Sequence, residues 1–214
     1  MKVLLIILSF FPLILSGQNR YFDPVVKNDS AIVDSKYIRG TWSTYFQTVK
    51  TPLGAIFRLK IITDSTYVIQ WGDSLSLKTF PVAFYLDGHE TWIPKFIDEN
   101  KDYIVMRQGC GNPCWIGYFL PLDDSIKPGM FHEYLDYDLN NNLIVYVKSS
   151  KIIGITNIKT DQIEDHKIEG CTSVFLGYCI DSLTIKNRIL KFKWIPDTIK
   201  NSQKGDFKTE KIKI

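Results

Sequence analysis

Apolar and aromatic residues in this chain recur in short runs, each bounded by a polar turn rich in Asp, Asn, Gly or Pro. The stretch Asp102–Asp123 is the clearest case. Tyr103–Met106 and Trp115–Leu122 flank the turn Gly109-Cys110-Gly111-Asn112-Pro113-Cys114. Two β-rich arms around a Gly/Asn/Pro tip predict a hairpin. The runs are too short for helices, and none carries an apolar face of helical period over a useful length. Tyr, Thr and β-branched residues are frequent, which favours pleated strands. The prediction is an all-β, antiparallel chain.

A polar turn followed by an apolar run occurs four times. The runs are Thr66–Trp71, Asp102–Arg107, Leu143–Val147 and Ile189–Trp194. The runs start 36, 41 and 46 residues apart, within the spacing of blade-type repeats. Tyr134–Ile168 is the fullest unit, with four strand candidates: YLDYDL, LIVYVKSS, IIGITNI and QIEDHKI. This unit resembles one blade of a β-propeller, a four-stranded antiparallel meander repeated about an axis. The resemblance implies roughly four blade-like repeats over residues 55–214, although the Gly-His and Trp-Asp signatures of common propeller repeats are absent. A β-barrel and a β-sandwich fit the same pattern. Gly40-Thr41-Trp42, within the first strand candidate Tyr37–Lys50, is similar to the Gly-x-Trp of lipocalins, which implies a closed barrel with Trp42 at its base. In the last repeat, Leu190, Phe192 and Trp194 alternate with Lys191 and Lys193, the pattern of one-sided burial. Phe207–Ile214 alternates in its second half, and pairing with Tyr37–Lys50 would close the array.

Residues 1–17 follow the three-part pattern of a secretory signal: Lys2, an apolar run Val3–Leu15, then Ser16-Gly17. The run is shorter than a bilayer span requires. The predicted mature chain is secreted or periplasmic, with a loosely ordered lead-in over 18–35 and a single all-β domain over 36–214. It has no membrane span of its own. Such a compartment is oxidising, and Cys110, Cys114, Cys171 and Cys179 are an even set, which reads as disulfides. The local pairings 110–114 and 171–179 are favoured over the crossed ones, each contributing about 2–3 kcal/mol in the chain-entropy model. C-x3-C followed by C-x7-C suits neither a zinc site nor a redox dithiol.

The formal net charge of +3 is too small to argue for nucleic acid or an acidic membrane. Lys200, Lys204, Lys208, Lys211 and Lys213 alternate with Asp206 and Glu210, a solvated face. His89, His132 and His166 share no paired spacing. Asp138-Leu-Asn140-Asn-Asn142 opens like a calcium loop but lacks the glycine and the closing glutamate, so it reads as a hairpin turn. No motif calls for a cofactor or a metal. Aromatic residues make up 14% of the chain. Trp71, Trp92 and Trp115, at or near strand ends, are the candidates for a binding surface toward a protein or a glycan. The sequence therefore supports a secreted binding or structural module first. An extracellular carboxylate-based hydrolase and a lipocalin-like small-ligand carrier are the alternatives.

Overall fold

The computed structural model describes residues 32–34, 48–63, 66–85, 93–111, 114–169, 179–195 and 208–214. These residues are strands and turns, with a 3-10 turn at Leu139–Asn141 and no α-helix among them. The all-β expectation is met. Sheet I runs in the order β1 (Ile32–Asp34), β2 (Thr48–Lys50), β3 (Ile56–Thr63), β4 (Thr66–Gly72), β5 (Leu77–Thr79), and β6 (Phe84–Tyr85) also pairs with β4. Sheet II is the meander β7 (Lys95–Glu99), β8 (Tyr103–Gly111), β9 (Cys114–Pro121), β10 (Gly129–His132). Sheet III is the meander β11 (Tyr134–Asp138), β12 (Leu143–Ser149), β13 (Ile152–Asn157), β14 (Gln162–Lys167). Sheet IV holds β15 (Ile180–Lys186), β16 (Ile189–Trp194) and β17 (Lys208–Lys213). Every pairing is antiparallel except β1 with β2.

The four repeated runs become β4, β8, β12 and β16, each the second strand of a hairpin. The turns before β8 and β12 are built by Asn100 and Asp138 side chains that satisfy nearby backbone donors. Asn100 Oδ1 accepts from the amides of Asp102 and Tyr103 at 2.9 and 2.8 Å. Asp138 caps the 3-10 turn by accepting from the Asn141 amide, and Asn142 closes it in the left-handed region at φ 58°. Asn187 and Arg188, at φ 51° and 60°, form the two-residue turn between β15 and β16. Two consecutive left-handed residues match the right-handed twist of the flanking strands.

The sheets stack in chain order because their strands bury alternate residues on opposite faces. In β8, Ile104 and Met106 join Phe57, Leu59, Ile69 and Trp71 of sheet I. Tyr103 and Val105 of the same strand join Leu139 and Ile144 on the sheet III side. In β12, Ile144 faces sheet II while Leu143 and Val145 pack with Leu190, Phe192 and Trp194 of sheet IV. Sheets II and III are thus covered on both faces, and their central strands read as continuous apolar runs. Two buried indoles tie neighbours together: Trp71 Nε1 donates to the Pro121 carbonyl at 2.8 Å, and Trp194 Nε1 to the Glu169 carbonyl at 3.3 Å. At the seam of sheets III and IV, Asp136 Oδ2 accepts from the Ile185 amide at 2.8 Å.

The described strands fall into four sheets, and among the described residues no core cluster joins sheet I to sheet IV. The one-sided last repeat is as expected, with Leu190, Phe192 and Trp194 buried and Lys191 exposed. Of the segment expected to close the array with the C-terminal strand, residues 37–47 lie outside the described residues. β17 pairs with β16, placing Ile212 opposite Leu190, and Ile212 and Ile214 pack onto the sheet III–IV core. Thr48–Lys50 pairs with β1 and β3 instead. A strand joins the apolar face it completes, and β16 offers that face locally. Ile32–Asp34, within the segment read as a lead-in, forms β1. Residues 1–17 and the Gly40-Thr41-Trp42 match lie outside the described residues.

Ile144, fully buried between sheets II and III, is the sharpest test of double-sided burial. Ile144→Ala is expected to cost about 2–5 kcal/mol, read from denaturant midpoints, while Lys191→Ala stays within about 0.5 kcal/mol. Gly154 is a second test, because a Cβ there would lie 2.6 Å from Tyr146 Cζ. Gly154→Ala is expected to lower the melting temperature, and Gly154→Ala combined with Tyr146→Leu to recover part of that loss.

Candidate functional site

The three tryptophans singled out from the sequence have separate fates. Trp71 is 1% exposed and packs beside Phe80, so it belongs to the core and leaves the set of surface candidates. A position near the end of a strand stays covered when the adjacent sheet extends past it. Trp92 lies outside the described residues. Trp115, second residue of β9, is 44% exposed.

The surroundings of Trp115 follow from the hairpin register. On the face of sheet II turned toward sheet III, Lys95, Arg107, Gly117 and Phe131 form one row across β7, β8, β9 and β10. Gly109 lies opposite Trp115, so Arg107 is its diagonal neighbour across the ladder. The Arg107 guanidinium carbon sits 4.5 Å from the centre of the indole ring, a cation–π contact worth about 0.5–1 kcal/mol at an exposed site. Gly117 leaves a hollow that the Tyr134 ring fills; a Cβ there would lie 2.8 Å from Tyr134 Cδ1. Arg107 also lies close enough to the Tyr134 hydroxyl to favour its ionised form. The rings of Tyr134 and Tyr137 are 6.4 Å apart, and the Tyr137 hydroxyl donates to Asp98 Oδ2 at 3.1 Å. Trp115, Arg107, Tyr134, Tyr137 and Asp98 thus make a continuous strip where sheets II and III meet.

The strip rests on an aromatic floor. Phe119 stands edge-on to Phe131, Tyr134 and Tyr137, with centroids 5.7, 6.3 and 5.5 Å away. Burial pushes the hydroxyls of Tyr134 and Tyr137 above the ordinary tyrosine range. Arg107 opposes that rise at Tyr134, and Asp98 adds to it at Tyr137. Both phenols are therefore protonated at neutral pH, able to donate as well as accept. The strip can stack a flat or apolar face on Trp115 and hydrogen-bond a polar edge through Arg107.

The hairpin that carries Trp115 is closed by the Cys110–Cys114 disulfide, with a Cα–Cα distance of 5.0 Å. That is the pairing expected from the sequence. Cys179 is buried and disulfide-bonded as well, while Cys171 lies outside the described residues.

A second concavity of about 620 Å³ opens between sheets I and II, lined by Leu53, Asp73, Lys78, Lys101 and Asp124 among others. Its polar groups serve the fold. Lys78 Nζ donates to the carbonyls of Pro121 and Leu122 and pairs with Asp124 at 2.8 Å, which uses its three protons. Asp73 accepts from the amides of Leu75 and Ser76, and these bonds hold its carboxyl below the usual range. No nucleophile with a neighbouring base converges there among the described residues, and none of their acidic, His and Cys side chains form a group of three able to hold a metal.

His132 is exposed, whereas His166 is only 25% exposed, in contrast to the solvated reading. It stands edge-on to Phe192, with Nε2 3.4 Å from Glu210 Oε1, because β17 folds against β14. His89 lies outside the described residues. The carboxylate of Asp138 accepts from the Asn141 amide and side chain, which confirms its hairpin-turn role. Lys208, Lys211 and Lys213 are exposed, as a solvated face requires.

Sequence reasoning found Trp115 and missed Arg107, Tyr134, Tyr137 and Asp98. The legible signal for Arg107 was parity: counted back from the hairpin tip, it falls on the face of Trp115. Tyr134 and Tyr137 come from the next sheet, and no local pattern links them to β9.

Asp136 lies at the seam of sheets III and IV, and its titration is a direct test of that packing. Burial raises its carboxyl, against the hydrogen bonds from the Ile185 and Tyr137 amides, and Asp138 adds to the rise. A carboxyl raised on folding binds its proton more tightly in the folded chain. Its contribution is fully present below the unfolded pKa and is lost as pH rises through the folded value. Asp136→Asn keeps an oxygen for Ile185 and removes the titration. Its melting temperature is expected to depend less on pH above the ordinary carboxylate range and to equal or exceed wild type at pH 7. An unchanged pH slope would contradict the assignment.

No family model, curated protein or solved structure matches this chain.

Proposed function

We propose that the chain is an exported, non-catalytic β module that binds a partner through the strip headed by Trp115. The carrying observation is the 44%-exposed Trp115 held under the Arg107 guanidinium at 4.5 Å. A large aromatic fixed in this way presents an apolar surface with little conformational entropy left to lose, which suits recognition. The disulfide at the hairpin tip supports both the fixed pose and an oxidising destination. The signal-like residues 1–17 support export on sequence grounds. The sequential stacking of four sheets supports a propeller-like array that displays strand-end loops and seams as binding surfaces. Against a hydrolase, the carboxylates of Asp73, Asp136 and Asp138 are each engaged by backbone amides.

Export and binding are tested together by expressing the full chain in its native host. The mature N-terminus is expected near residue 18, with the protein outside the cytoplasm. Trp115→Ala is expected to fold as wild type by circular dichroism and to lose at least about fivefold of wild-type retention on the host's envelope or extracellular matrix fraction. Equal retention of wild type and Trp115→Ala would count against the binding face, and recovery of the intact chain from the cytosol against export.

A further inference from the structure

We infer that the outer face of sheet IV docks on an anionic lipid membrane through lysines that the strand register gathers; the inference does not rest on the strip headed by Trp115. The inner face of sheet IV is spent on the core, with Ile185, Leu190, Phe192 and Trp194 packed there. The alternate residues point the other way. Register sets Thr184, Lys191 and Lys211 in one row of that outer face, and Lys186, Ile189 and Lys213 in the next. Neighbouring rows lie about 7 Å apart and neighbouring strands about 5 Å. Lys186, Lys191, Lys211 and Lys213 therefore share a patch comparable with the Debye length, about 10 Å at moderate salt, and their fields add. All four are exposed, and none enters an ion pair among the described residues. The nearby carboxylates lie elsewhere or are spent. Glu210 is opposite Phe192 on the inner face, 3.4 Å from His166 Nε2. Asp181, at the bulge between Ile180 and Ser182, is paired with Lys193 at 3.4 Å. Arg188 Nε donates to the Ile214 main-chain oxygen at 2.8 Å, so that cation is already engaged. The pleat thus sorts the mixed charges of the C-terminal segment, with Lys211 and Lys213 on one side and Glu210 on the other. A net charge of +3 conceals this separation.

Lysines on an edge strand block pairing with other chains, which accounts for Lys211 and Lys213 on β17. It does not account for Lys191, which stands in the central strand β16 directly opposite Lys211. Like charges placed so destabilise the pair, and a negatively charged surface offsets that repulsion. The layout favours a plane over a polymer. Lysines carry compact charges on flexible stems and lack the planar fork that reads one carboxylate or phosphate in bidentate fashion. Besides its lysines the face holds Ser182, Thr184, Ile189 and Thr209, with no aromatic ring among the described residues on which a base or a sugar could stack. A linear polyanion laid along one row meets two of the lysines, whereas an anionic bilayer meets all four together. Each lysine near such a surface strengthens the attraction about fivefold.

The test is co-sedimentation of the purified mature chain with vesicles of phosphatidylcholine, alone or with about one-third phosphatidylglycerol. The chain is expected to sediment with the anionic vesicles and to stay in the supernatant with the neutral ones. Binding should weaken as salt rises from about 50 to 300 mM. Lys191→Gln and Lys211→Gln are each expected to lower the partition coefficient about fivefold. Lys191→Arg combined with Lys211→Arg is expected to retain it, because charge and not shape is read. Lys208→Gln, on the other face of β17, is expected to stay within about twofold of wild type. All variants are checked for wild-type circular dichroism. Failure to bind the anionic vesicles, or equal binding to the neutral ones, would overturn the inference. Binding untouched by Lys191→Gln and Lys211→Gln, or lowered as much by Lys208→Gln, would overturn the outer face of sheet IV as the site. Displacement from the vesicles by duplex DNA or polyglutamate at matched charge would show that a soluble polyanion is preferred, and would overturn the lipid surface.

Discussion

Burial of alternate residues on opposite faces of β8 and β12 is the constraint on which this structure depends. A β-strand sends successive side chains to opposite sides of its sheet. Where one side meets water, half the positions must be polar. In β8, Tyr103, Ile104, Val105 and Met106 are all buried, two toward sheet I and two toward sheet III. In β12, Leu143, Ile144 and Val145 are buried, divided between sheets IV and II. Once these strands need cover on both faces, the flanking sheets are fixed in place. Sheet IV, needing cover on one face only, can afford its exposed lysines at alternate positions.

The stacking also explains where polar chemistry appears. Inside a stack, backbone and indole donors need partners, and the clasps Trp71 to Pro121 and Trp194 to Glu169 supply them between neighbouring sheets. The strip proposed as a binding face lies at a seam. At the seam of sheets II and III the aromatic floor around Phe119 stops short of Trp115, and the guanidinium of Arg107 fills the boundary between buried rings and water. The disulfide between Cys110 and Cys114 closes the hairpin immediately beside this boundary. The exposed aromatic is thus flanked by strand register on one side and a cross-link on the other.

Much of the fold was legible because its signals are local. The hairpin at Asp102–Asp123, its disulfide and the four-stranded unit Tyr134–Ile168 follow from turn residues and runs of apolar side chains. The turns carry their own chemistry, with Asn100, Asp138 and Asn187 acting on amides two or three residues away or adopting left-handed backbone. Non-local features were not legible in the same way. Trp71 and Trp115 sit at similar positions near strand ends, yet one faces sheet I's core and the other the edge of a seam. The difference lies in which sheet covers them, information that resides in other segments. The pairing of β17 with β16 was not legible for a related reason: alternation shows that a strand has a face to bury but not which strand will accept it. Of the strip, one residue of five was found, since Tyr134 and Tyr137 reach it only through tertiary packing.

The central claim is that sheets II and III are the innermost layers of a sequential stack. Native-state hydrogen exchange followed by mass spectrometry tests it most directly, because amides in doubly covered strands open only with the whole fold. Peptides spanning β8, β9, β12 and β13 are predicted to exchange slowest and to share one opening free energy, with β14 and β17 opening earlier. Early exchange in β8 or β12, with the slowest amides in sheet I or sheet IV, would contradict the account.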